Sequence, residues 1–105
     1  MLIIMFGKSL KEAKNPYTTF TVLRKLAESK KVKIREAVAS NQNVQTFVME
    51  NLAVDGSVKV RVALASNPKL SNKAWQILSE DSDSLVVQAL KTHYPEAPEV
   101  KSHRL

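Results

Sequence analysis

Residue types suited to chemistry are sparse in this chain. Its two histidines, His93 and His103, bracket Glu96 and Glu99. Imidazole and carboxylate together raise the question of a metal, but this spacing matches no recognised ligand set. Cysteine is absent, which excludes disulfides, zinc–thiolate sites and iron–sulfur clusters. There is no Gly-rich phosphate loop and no G-x-S-x-G elbow. Asp81 and Asp83 are a carboxylate pair, but turn formation and helix capping account for them better than acid–base work. The expectation is a non-enzymatic protein with no cofactor and no metal.

Cations are plentiful: 16 Lys and Arg stand against 10 Asp and Glu, a net charge of +6. Two pairs recur, Lys33 with Arg35 and Lys59 with Arg61. On a helix each pair flanks an apolar residue, Ile34 or Val60, by about 100° to either side. Four such cations side by side would suit phosphates or an acidic protein. An arginine stem can equally cover apolar surface. The corresponding residues further on are Leu85 and Val87, so any stripe ends early. Val58 and Val62 fall one helical turn apart on another flank. They are expected either to pack against a neighbouring helix or to offer an apolar patch to a partner.

These pairs belong to a longer repetition. VKIREAVASN at 32–41 and VKVRVALASN at 58–67 agree at seven of ten positions and start 26 residues apart. A shift of 26 aligns Ile34, Val60 and Val86; Val38, Leu64 and Leu90; and Asn41, Asn67 and His93. Downstream it aligns Val44 with Leu70, Met49 with Trp75, Leu52 with Leu78, and Asp55 with Asp81. An earlier copy is looser: Asn15, Leu23 and Leu26 fit, while the stretch before them fits only with a two-residue slip. Ile34, Ala37, Val38 and Asn41 form one helical stripe. Ser57, Ser71 and Asp83 are expected N-caps, and the Asn column is expected to bond free backbone groups in a turn.

Two helices of about ten residues cannot hide their apolar stripes alone. Stacked copies cover one another, which explains a constant spacing. The fold class expected is all-α: a short right-handed α-solenoid of about four 26-residue, two-helix repeats. They run approximately over 1–31, 32–57, 58–83 and 84–105 of a single domain. The apolar start MLIIMF is too short to span a membrane and lacks a signal-peptide layout. It is expected to pack on the end of the core.

Val60-Arg61-Val62-Ala63-Leu64-Ala65-Ser66-Asn67-Pro68 resembles the signature of the leucine-rich repeat variant family, approximately V-R-x-x-V-A-x-N-P followed by L-x-x-L and an Asp-rich turn. Ile34 to Asn41 follows it, with Gln42 in place of proline. Val86 to His93 keeps the apolar and alanine positions but has Val87 for the arginine and His93 for the asparagine. The likeness covers about residues 10–95. It implies alternating layers of α-helix and short 3₁₀ helix, with HEAT-like repeats as architectural neighbours. One family member carries a cysteine-bound iron–sulfur cluster, which a chain without cysteine cannot share.

HEAT-like repeats mostly bind proteins and in some cases DNA. The functional expectation is therefore a protein-binding scaffold in the cytoplasm, a small regulator or adaptor, with no membrane. The alternative is a nucleic-acid-binding helical repeat using the basic stripe, and self-association is open. The binding residues singled out are Lys33, Arg35, Lys59, Arg61, Val58 and Val62.

Overall fold

The structure, a computed structural model, describes residues 2–97, with side chains from Gly7 onward. The described residues form seven α-helices and no strand: α1 (Leu2–Lys14), α2 (Phe20–Leu26), α3 (Val32–Ser40), α4 (Thr46–Leu52), α5 (Val58–Ala65), α6 (Asn72–Ser79) and α7 (Ser84–His93). The fold is all-α. Residues 2–6 form the first turns of α1; the expected packing of this start on the core lies outside the described side chains.

Local chemistry starts several of these helices. Thr19 accepts a hydrogen bond from the Val22 N–H, Ser71 from Ala74 and Asp83 from Leu85. These contacts satisfy donors that a helix N-terminus leaves free. Ser57 holds the N-cap place of α5 but makes no side-chain cap bond. Its own N–H is turned to Asp55 Oδ1 at 2.9 Å, so the carboxylate orders this turn instead.

The helices alternate between two layers. α1, α3, α5 and α7 form one row, each touching the next, and α4 touches α6 in the other. Each shorter helix wedges between two members of the long row: α2 against α1 and α3, α4 against α3 and α5, α6 against α5 and α7. The core runs between the layers. Ile34, Val60 and Val86 line it from the long row together with Val38, Leu64 and Leu90. Leu23, Met49, Leu52 and Leu78 close it from the other layer. Trp75 takes the Met49 position half-exposed, with its indole Nε1 buried and unpartnered among the described residues.

Two sequence expectations need correction. The second layer is α-helical, and no 3₁₀ helix occurs among the described residues. α2 and α4 have seven residues and α6 has eight, long enough for i→i+4 bonds such as Met49 N–H to Gln45 O and Ala53 N–H to Met49 O. Bonds of the i→i+3 type recur in the connectors, as from Val44 N–H to Asn41 O and Leu70 N–H to Asn67 O. Nor does the register slip near Ala13. Ala13, Ala39 and Ala65 share one place at a constant 26-residue interval, all fully buried.

The Asn column explains why that register holds. Asn41 and Asn67 are the polar side chains buried with the core. Asn67 Nδ2 donates to Ala39 O at 2.8 Å and Asn41 O at 3.0 Å. Asn41 Nδ2 does the same one copy earlier, to Ala13 O at 2.8 Å and Asn15 O at 2.9 Å. These carbonyls lie at the carboxyl ends of α1 and α3, where helical partners run out. Each Oδ1 meanwhile accepts the N–H two residues on, Asn43 or Lys69, making an Asx-turn. Asn41 has φ −79°, so the turn needs no left-handed residue. The column ends differently from its sequence pattern. His93 is exposed, and the adjacent Tyr94 hydroxyl donates to Asn67 O while accepting from Leu70 N–H.

Asn67→Ala removes both donors and the turn acceptor, and Asn67→Asp keeps the acceptor but faces two carbonyls without a donor. Each is expected to cost about 2–4 kcal/mol. Asn15, exposed and bonded through its side chain only to Tyr17 N–H, is expected to cost under about 1 kcal/mol as alanine. Urea unfolding midpoints at constant slope check the contrast.

Candidate functional site

The two arginines of the basic pairs are engaged inside the fold. Arg35, near the start of α3, reaches Asp55 after α4 through Nε to Oδ2 at 2.8 Å and Nη2 to Oδ1 at 3.1 Å. Its Nη1 donates to Ser29 O at 2.8 Å in the preceding turn. Arg61 repeats the pattern with Asp81, at 2.7 and 3.3 Å, and with Asp55 O at 2.6 Å. Each guanidinium thus ties its own copy's closing turn to the one before. The side chains are 18% and 15% exposed for arginine and 10% and 7% for aspartate, so the pairs are screened little by solvent.

Bidentate geometry is the strong form of this contact. The hydrogen bond to Asp55 raises the Arg35 pKa against the opposing effect of burial, and Asp81 does so for Arg61. For Asp81, burial pushes the carboxyl up. The Arg61 hydrogen bond, the Asp83 N–H and the Arg61 charge together outweigh it and hold the carboxyl below its usual range.

Lys33 and Lys59, in contrast, are exposed. Lys33 stands at a groove of about 440 Å³ across the long row. Leu10 and Lys14 of α1, Glu36, Ala37 and Ser40 of α3, and Ala63 of α5 line it. Alanine at 37 and 63 puts small side chains in this lining. Val58 and Val62 are half-buried and packed against the core, so little of either faces a ligand. Of the six residues singled out from sequence, the structure therefore places two in internal ion pairs, two against the core and two in solvent. His103 and Glu99 lie outside the described residues; among those described, no group of three potential metal ligands converges.

Sequence reading missed the groove's Leu10, Lys14, Glu36 and Ser40, and the role of the arginines. A signal for the latter was available. Arginine and aspartate occur together in the two middle copies, at 35 with 55 and 61 with 81. The first copy has serine at both places, Ser9 and Ser29. No family model matches the chain, and neither curated proteins nor solved structures gave a match.

Because the Asp81 carboxyl is held low in the folded state, its stabilising contribution is complete above the ordinary carboxylate range near 3.8 and is lost as pH falls through the folded value. Arg61→Met is expected to cost roughly 1–3 kcal/mol at neutral pH, since it leaves a shielded carboxylate unpaired. At pH values of about 3 and below the difference from the parent is expected to narrow. Chemical denaturation of both proteins across that range checks it.

Proposed function

We propose that the chain is a non-enzymatic, cytoplasmic protein-binding scaffold of the leucine-rich repeat variant type. In this reading it is a short right-handed α-solenoid of about four 26-residue repeats, with an α-helical second layer. The α1/α3/α5 groove receives a segment of a partner protein. The row from α1 to α7, in which each helix packs on the next among the described residues, supports the solenoid. That among the described residues no helix is long and apolar enough to cross a membrane agrees with it.

The groove itself carries the functional reading. Its floor includes Ala37 and Ala63, and its rim holds Lys14, Lys33 and Glu36. Small floor residues let a partner backbone approach, and mixed rim charges orient it rather than attract any polyanion. The arginines that a phosphate-binding stripe would need are already committed to Asp55 and Asp81. That weakens a nucleic-acid role for the row of Lys33, Arg35, Lys59 and Arg61.

A photo-crosslinking residue at the exposed Ser40 position tests the reading. The expected product in a cell extract is a protein adduct that survives nuclease and falls several-fold when Ala37→Trp fills the floor or Lys33→Glu reverses the rim. An adduct dissolved by nuclease, or one indifferent to both changes, contradicts it.

A further inference from the structure

Among the described residues five large hydrophobics are left exposed; Leu85 stands apart on α7, and the other four fall together. Tyr17 is 88% exposed, Phe20 50%, Phe47 48% and Val54 69%. All four lie on or beside α2 and α4, in the layer opposite the groove. The neighbouring copies show that the fold does not require them. Tyr17 stands where those copies carry Asn43 and Lys69. Phe20 corresponds to Thr46 and Asn72, and Phe47 to Thr21 and Lys73. Val54 corresponds to Glu28 and Glu80. Each is an apolar departure at a position that is polar elsewhere, and three of the four are aromatic.

The backbone leading into these rings is tied down. The Tyr17 turn is fixed by Tyr17 N–H to Asn15 Oδ1 at 2.8 Å and Thr18 Oγ1 to Glu12 O at 2.6 Å. Asn43 Nδ2 donates to Thr18 O at 2.8 Å, which joins the turns leading into α2 and α4. Phe20 is the first residue of α2 and Phe47 the second of α4. Arg24 lies four residues after Phe20, on the same helical face, with Lys25 beside it; both are exposed. The equivalent residues are Glu50 and Gln76, and Asn51 and Ile77, so these charges too are particular to this copy.

Exposed rings beside exposed cations match a ligand with flat apolar units on an anionic chain. We propose that the Tyr17–Phe20–Phe47 face, with Arg24 and Lys25, binds single-stranded nucleic acid, the bases stacking on the rings and the phosphates meeting the cations. This surface is separate from the groove and does not depend on its partner.

Fluorescence anisotropy with a labelled oligothymidylate of about 20 nucleotides tests this, with a hairpin duplex of similar charge as comparison. Binding is expected to favour the single strand. Phe20→Ala and Phe47→Ala are each expected to weaken it about tenfold with helical circular dichroism unchanged. Arg24→Ala is expected to lower the salt dependence by about one ion, and Lys91→Ala on α7 to change little. Failure to bind the oligonucleotide, equal affinity for the duplex, or aromatic variants that bind like the parent overturns the proposal. The same holds if an acidic protein proves to be the ligand of this face and the oligonucleotide does not compete for it.

Discussion

One constraint governs the long row of helices: the carbonyls at the carboxyl end of each helix must be satisfied where water does not reach. α1 and α3 meet it with a side chain from the next copy. Asn41 serves Ala13 and Asn15, and Asn67 serves Ala39 and Asn41. Only a short carboxamide does this while folding its own turn, because it carries donor and acceptor on one rigid group. A donor-free aspartate would lose the stitch, and alanine would lose the turn as well. Buried alanines at 13, 39 and 65 let the next helix come close enough for it.

The arginine–aspartate pairs perform a related service at the opposite edge. Each guanidinium joins two successive turns, so the asparagines hold one end of a helix pair and the arginines hold the other. Between them the apolar columns need no special chemistry beyond fit. This leaves the outer surfaces free of structural duty, and it is there that the copies diverge. The middle of the long row carries a groove with lysines at its rim. The first two copies of the short layer carry aromatic rings.

Much of this was legible in the residues. The helix content, the core columns and the caps at Ser71 and Asp83 followed from periodicity and capping chemistry. The Asn column was read correctly as a turn former, but its donors span 26 and 28 residues, a pairing that no local pattern reveals. The same distance hid the partners of Arg35 and Arg61, 20 residues away, so those side chains were read as a stripe for phosphates or an acidic protein, or as cover for apolar surface. Tyr94 illustrates a different limit. Column alignment pointed to His93, whereas the tyrosine one residue later reaches the same carbonyl with a longer side chain. Phe47 read as part of its helix's apolar face, and its exposure shows only against Thr21 and Lys73 at the same place in the other copies.

Hydrogen exchange of the asparagine side-chain amides, followed by nuclear magnetic resonance, tests the central claim most directly. If each copy is stitched to the one before it through buried carboxamides, the Nδ2 protons of Asn41 and Asn67 will exchange only by opening close in free energy to global unfolding. Those of Asn15 will exchange at the rate of an exposed side chain. Rapid exchange at Asn41 and Asn67, in a protein otherwise folded, would contradict the account.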